Sequence, residues 1–299
     1  MKDINEQGNL NTKGNQFLSV VIATLGGERL QLTIDSLNKG TIVPTEIIIA
    51  IPAGFEDGVA DIKGANVVIL VTKTKGQVSQ RCEGFKIARG QFVLQSDDDI
   101  ILENSCIEHL IKACTSLGVK SACSPSLYFL ESGKSVYSKP VSGKLLSSFY
   151  YGILNGSKGY REGSITMAGT EIGVDSTKHT DEIIRTEWVP GGIALHHKEN
   201  LILENFYPHQ GKAFAEDLYH SIELRKRGIN LFIVIPAIAW IDDPRTAGCP
   251  GFFDWYKNIS RDYKARKHLV KANNMSLMRM LAFYTTTIAA IFLKRIKNI

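Results

Sequence analysis

The sequence predicts an α/β protein, an open and mostly parallel sheet with helices on its faces. Three observations predict it. Short apolar, β-rich runs recur at residues 17–23, 46–51, 66–71 and 91–95, each about as long as a buried strand. Helical patterns alternate with them, at residues 28–38 and 77–88. The fourth run ends in three consecutive carboxylates, Asp97, Asp98 and Asp99. That places acids at the C-terminal end of a strand, the edge where open α/β sheets bind ligands.

Taken in order, residues 1–16 are polar, lack an apolar core segment and read as a loose tail rather than a signal peptide. The first strand, 17–23, runs into the turn Thr24-Leu25-Gly26-Gly27. The helix after it puts Leu30, Ile34 and Leu37 on one face. Three adjacent carboxylates repel one another, so withdrawing them from water without a cation is costly. Hard oxygen ligands at this spacing suit Mg²⁺ or Mn²⁺ shared with substrate phosphates, and a solvated acidic turn is the plainer alternative. From Leu102 a helical pattern opens, with Ile107, Leu110, Ile111 and Cys114 facing inward, and residues 119–129 read as a further strand.

Residues 131–180 are rich in Gly, Ser and Lys and weakly periodic, too long for an ordinary loop and so an insertion. It carries Tyr137, Tyr150, Tyr151 and Tyr160, whose rings suit either packing or stacking on sugars. Trp188-Val189-Pro190-Gly191-Gly192 then enters a turn, and glycines there let a backbone approach a ligand closely, a plain β-turn being the alternative. His196 and His197 have no partner at metal-ligand spacing and read as ordinary histidines. Phe214, Leu218 and Ile222 are spaced by four, and Lys226-Arg227-Gly228 closes that helix with cations and a glycine stop. Glu216 and Asp217 therefore sit in its first turn, where acids also favour the positive end of the helix dipole. Residues 237–241 read as a last strand.

Strand, Asp-x-Asp, helix resembles the metal-binding motif of the GT-A glycosyltransferases. Residues 76–90 are similar to the family-2 pattern that precedes it: Arg81, Gly84, Ala88 and Gly90 match, while Cys82 stands where that family usually has Asn. The Gly191-Gly192 turn is similar to the family segment beneath the acceptor. Glu216-Asp217, followed by a helix and strand, resembles the Glu-Asp motif of inverting family-2 enzymes. The uracil-reading Asp of many relatives is replaced by Ile51-Pro52-Ala53-Gly54, with Glu56 and Asp57 close by. The metal-binding His found late in many relatives is absent, and Asp242 stands near its place.

The resemblance implies a GT-A, Rossmann-like nucleotide-sugar-binding domain over residues 17–250, the 131–180 insertion shaping its acceptor side. It implies an inverting, metal-dependent transfer of a hexose or related sugar from a nucleotide-diphosphate sugar to a glycan or lipid-linked hydroxyl, in surface-polysaccharide or glycolipid assembly. Asp217 is then the general base and Glu216 its orienting partner. Ala23, Thr24, Arg81, Asp97 and Asp98 contact the nucleotide sugar. Trp188, Gly191 and Gly192 contact the acceptor, and Asp97, Asp99 and Asp242 hold Mn²⁺ or Mg²⁺. Two other classes stay open: a sugar-phosphate nucleotidyltransferase, for which residues 24–29 make a poor triphosphate loop, and a degenerate protein that binds nucleotide or glycan without turnover.

The chain of 299 residues has 44% hydrophobic content and a net charge of +5, unevenly placed. From residue 255 onward ten Lys or Arg face Asp262 alone, so the first 254 residues carry a net negative charge. A basic helical extension, residues 251–299, suggests an anionic membrane surface as partner, and no nucleic-acid-binding motif is present. Residues 280–293 form an uncharged run about 21 Å long as a helix, short of the ~30 Å hydrocarbon core. It suits a helix lying in the membrane interface, or one buried against the domain or a partner subunit. Five scattered cysteines without a Cys-x-x-Cys pair fit a reducing cytoplasm, with the inner face of the cell membrane as the surface in question.

Overall fold

A computed structural model describes residues 17–138, 143–209, 212–243 and 252–297. The expected polar tail, the middle of the segment joining the last strand to the basic extension, and Cys249 lie outside the described residues. Among the described residues nine strands form one sheet: β1 (Leu18–Ala23), β2 (Glu46–Pro52), β3 (Val67–Thr72), β4 (Phe92–Ser96), β5 (Ile101–Leu102), β6 (Ser121–Phe129), β7 (Ile183–Thr186), β8 (Ile193–His197) and β9 (Asn230–Ile241). The order is β3-β2-β1-β4-β8-β6-β9-β5, with β7 also on β9.

The first four strands are all parallel. β1 has β2 on one side and β4 on the other, so strand order reverses between Ala23 and Ser96. That is the switch point at which a crevice opens in such sheets. β1, β2 and β4 are buried along their whole length, as strands covered on both faces must be. Beyond β4 the sheet is mixed. β8 runs antiparallel to β4 and places the 188–192 turn beside the acid triplet.

Helices α1 (Leu30–Asn38), α2 (Gln77–Ile87) and α3 (Cys106–Leu117) cover this sheet. Leu30, Ile34 and Leu37 of α1 and Ile107, Leu110 and Ile111 of α3 enter one core with Val20, Ile22, Ile49 and Leu94. Each such side chain contributes about 1.5–3 kcal/mol on burial. On the opposite face α2 packs against β1 at Gly84, where a Cβ would stand 2.5 Å from Val21 Cγ1. The matching glycine of the sequence pattern is therefore a packing requirement.

The helix expected from Leu102 begins instead at Cys106. Ile101 and Leu102 pair with Trp240 and Ala239, because an unfilled edge of β9 lies beside them. The last strand, expected over 237–241, starts earlier, as β9 from Asn230. Pro236 does not break it, since residues 235–237 fall in a bulge where the register with β6 jumps from Val234 to Ile238. A proline is tolerated there because no ladder N–H is required of it. The insertion contains α4 (Lys144–Asn155), and α5 (Glu216–Lys226), α6 (Phe252–Ala272) and α7 (Leu277–Lys297) follow.

α7 is docked on the protein. Met280 and Tyr284 are buried with Val270 of α6, and Arg279 donates to the carbonyls of Gly152 and Ile153 at the end of α4. Among the described residues no helix is long and apolar enough to cross a membrane. Cys82, Cys106, Cys114 and Cys123 are free and buried. His196 is a core histidine, stacked edge-on against His220 and held neutral by burial, which pushes its pKa down to about 3.

Candidate active site

The switch point is lined by side chains that the chain brings from four regions. A cavity of ≈ 340 Å³ is bounded by Asp97 and Asp99 after β4, by Pro190, Gly191 and Gly192, by Asp217 on α5 and by Asp242 after β9. The backbone ties these parts together: Asp97 N–H donates to Gly192 O at 2.7 Å, and Gln95 Nε2 donates to Gly191 O at 2.8 Å.

The two glycines are required by their neighbours. A Cβ on Gly192 would lie 2.9 Å from Asp97 Oδ2, and one on Gly191 would lie 2.5 Å from Glu216 Oε2. The turn thus passes between the acids of β4 and those of α5. The sequence expected it to approach a ligand; it approaches the site's own carboxylates.

Each acid of the triplet has a different environment. Asp98 accepts a hydrogen bond from Thr24 Oγ1 and lies against Gly27, so it faces the end of β1. Thr24 is fixed in turn by Gln80, whose Nε2 donates to Thr24 O at 2.9 Å and to Ala50 O at 2.8 Å. Ala23 lies just behind, almost fully buried. Asp97 accepts from Gln77 Nε2 at 2.8 Å and from Arg81 at 3.0 Å. Asp99 stands at the mouth, where solvent still reaches it. Partial withdrawal from water, with Asp97 and Asp98 beside it, pushes its pKa up to about 6.

Arg81 was expected to touch the nucleotide sugar. It is instead 3% exposed and paired with both Glu216 and Asp97. A guanidinium engaged by two site carboxylates holds α2, β4 and α5 in register. Trp188, expected at the acceptor, is also withdrawn: it is 3% exposed, donates from Nε1 to Ile172 O at 3.0 Å and packs edge-on against Tyr137. Its bulk is satisfied in the core. Glu56 Oε2 accepts from Gly54 N–H at 2.7 Å, closing the turn after β2.

Asp242, expected as a metal ligand, is 2.6 Å from Arg29 Nε in a half-exposed ion pair. Among the described residues no three acid, histidine or cysteine side chains are grouped closely enough to hold a metal ion. The donor chemistry nevertheless suits one. Asp97 and Asp99 bring hard oxygens to one cavity, and the pKa of Asp99 is raised first by burial and then by the like charges of Asp97 and Asp98.

Asp217 is strongly perturbed. Burial first, then the charges of Glu171 and Glu216, push its pKa up to about 8. Its Oδ1 accepts from the Leu218 N–H at 2.9 Å. Ala215, just before the pair, has φ 54° and ψ 24°, a left-handed conformation that costs a non-glycine residue of order 1–3 kcal/mol. This kink starts α5 so that both acids point back toward the Gly191-Gly192 turn. A carboxylate with a pKa near the working pH is suited to accept a proton.

Three contributors were not picked out from sequence: Gln77, Gln80 and Glu171. Gln77 and Gln80 sit within the quoted 76–90 pattern, three apart on α2 and so on one face, which is the signal that could have found them.

Residues 19–159, just under half the chain, match the family described as Glycosyl transferase family 2. No curated protein matches the chain. Among solved structures, that titled "Crystal structure of GalNAc-T7 with UDP, GalNAc and Mn2+" aligns with a TM-score of 0.55 at 17% identity. The alignment covers 79% of this chain and 45% of that one, so the chain spans less than half the length of this neighbour. At that identity the likeness bears on fold alone, while the family match and the fold together support a role in glycosyl transfer. Residues 19–159 are thus similar to glycosyl transferase family 2, and the chain has a GT-A fold.

Proposed function

We propose that the protein is an inverting glycosyltransferase that moves a sugar from a nucleotide-diphosphate sugar to an acceptor hydroxyl. The observation that carries this is Asp217: a carboxyl with a pKa near 8 facing the cavity that Asp97 and Asp99 also line. The nucleotide lies at the ends of β1 and β4, against Thr24 and Asp98. Asp217 takes the proton of the acceptor hydroxyl as its oxygen attacks the anomeric carbon from the face opposite the diphosphate. One displacement follows, without a covalent sugar–enzyme intermediate, and the anomeric configuration inverts. Arg81 and Glu216 keep Asp217 in place against the turn.

Asp97 and Asp99 are the residues that would hold a divalent cation. Bound there, Mn²⁺ or Mg²⁺ would offset the negative charge developing on the diphosphate leaving group. The neighbour's title records UDP, GalNAc and Mn²⁺ for that protein, which supports testing uridine nucleotides and Mn²⁺ first.

The acceptor is presented at an anionic membrane surface, where surface-polysaccharide or glycolipid assembly takes place. In support, α4 exposes Leu145 at 87%, Leu146 at 63% and Phe149 at 68%, and the adjoining α7 exposes Met278 at 77%. Large apolar side chains exposed together on neighbouring helices mark an interaction surface. The ten cations from residue 255 onward supply the attraction to anionic lipid.

The test is a thermal-shift panel of nucleotides and nucleotide sugars with and without Mn²⁺, followed by NMR of the product's anomeric configuration. Metal-dependent stabilisation by one nucleotide series, and inversion of the product, support the reading. Retention of configuration would overturn the single-displacement mechanism.

A further inference from the structure

Behind the catalytic cavity lies a second one, of ≈ 270 Å³, which the mechanism above does not use. Tyr137 lines both cavities, so they are neighbours across one side chain. The second is walled by aromatic rings: Tyr150 and Tyr151 of α4, Tyr160, and Phe283 of α7. Tyr151 is wedged between Tyr150 and Tyr160, with ring centroids 5.1 and 4.7 Å away, so the aromatic wall is preassembled. Tyr160 is further fixed by its hydroxyl, which donates to Glu162 at 2.9 Å.

The polar groups are few. Glu171 stands 3.6 Å from Arg266. Arg266 is 7% exposed, is anchored by the Gly169 carbonyl and by Asp262 at 3.2 Å, and has a buried Nε without a partner among the described residues. The cavity therefore offers flat aromatic faces, one carboxylate that accepts, and one guanidinium with donor capacity to spare. Its charges nearly balance, which disfavours a phosphate or another strong anion. Aromatic faces with paired hydrogen-bonding groups suit a neutral sugar ring, which has an apolar C–H face and a rim of hydroxyls. The volume admits about one such ring.

We propose that this cavity binds a neutral sugar of the acceptor, one ring removed from the hydroxyl that reacts at Asp217. This rests on the transferase reading. It gives the insertion and the basic extension a shared role, because α4 supplies two rings while α6 and α7 supply Arg266 and Phe283. The electrostatic influence of Glu171 on Asp217 is consistent with adjacent subsites.

The test uses the full chain and ligand-observed saturation-transfer NMR with a panel of neutral p-nitrophenyl glycosides, with and without UDP and Mn²⁺. At least one glycoside should bind the wild type. Tyr150→Ala and Phe283→Ala should each weaken it by roughly 2- to 10-fold, as expected for loss of one stacking partner, while Tyr150→Phe retains it. Circular dichroism and nucleotide titration check that the variants are folded, and their nucleotide affinity should be unchanged. No binding by any glycoside to a wild type that still binds nucleotide overturns the subsite and leaves the transferase reading intact. Equal binding to wild type and both alanine variants also overturns it. A wild type that binds glycosides but no nucleotide would instead sink the transferase reading.

Discussion

Arg81 on α2 is ion-paired with Glu216 on α5, 135 residues further along the chain. Both side chains are more than nine-tenths buried, and the same guanidinium reaches Asp97. Removing one partner of a buried pair leaves an uncompensated charge and costs about 3–5 kcal/mol. Arg81→Met should therefore lower stability by that order in urea unfolding. Arg81→Lys should recover only part of it, since an ammonium cannot span two carboxylates as the planar fork does. A loss under about 1 kcal/mol would mean the pair is not structural.

Gly191 is the second element that fixes the acids. A Cβ there meets Glu216 Oε2 at 2.5 Å and Asp217 Cβ at 3.2 Å. Gly191→Ala should cost roughly 1–3 kcal/mol through overpacking, and it should also lower turnover by displacing Asp217. Gly118→Ala is the control for a glycine whose added Cβ meets nothing within 4 Å. Its effect should come from its positive φ alone, with turnover unchanged. Wild-type turnover in Gly191→Ala would contradict the close approach.

These contacts mark what the sequence could and could not reveal. β1, β2 and β4 were legible because strands buried on both faces read as continuous apolar runs. α1 and α3 were legible because their inward residues recur every three or four positions. α4 was not: Leu145, Leu146 and Phe149 face outward, so its apolar pattern does not report a core. β5 has two residues and exists only because β9 lies beside it. The acids Asp97, Asp99 and Asp217 could be named from local motifs. The pairings among them could not, because the Arg81–Glu216 pair and the Glu171–Asp217 interaction join segments with no periodic link. The partners of Arg81, Trp188 and Asp242 were likewise not legible, because they come from distant segments.

The pH dependence follows from Asp217. Its pKa in the folded protein, about 8, lies above the ~3.9 of an unfolded Asp. The folded state therefore binds more protons between those values, and stability falls as pH rises through that window. Activity moves the other way, because the base must be ionised. kcat/KM should fall about tenfold per unit as pH drops below 8. In Asp217→Asn the residual rate should be flat there, and the variant should gain stability over the wild type between pH 5 and 9. A wild-type profile flat from pH 6 to 9 would contradict the assignment.

The exposed apolar side chains of α4 and α7 predict binding to vesicles of mixed neutral and anionic phospholipid. Leu146→Glu with Phe149→Glu should reduce sedimentation with such vesicles without lowering nucleotide affinity. Added salt should weaken the electrostatic part within a Debye length of about 8–10 Å. Sedimentation unchanged by the double substitution would exclude this face as the contact.

The metal assignment predicts that EDTA abolishes transfer and that Asp99→Ala removes the dependence of nucleotide affinity on Mn²⁺. Equal nucleotide affinity with and without Mn²⁺ in the wild type would remove Asp97 and Asp99 from that role.

The most direct test of the account is turnover of Asp217→Asn at saturating donor, beside a donor-binding titration. Asn keeps the size of Asp but cannot take the proton. A positioned base is worth about 10²–10⁴-fold in rate, or roughly 3–5.5 kcal/mol of barrier. The account predicts a fall in kcat of at least ~100-fold with donor affinity nearly unchanged, whereas turnover within a few-fold of wild type would contradict it.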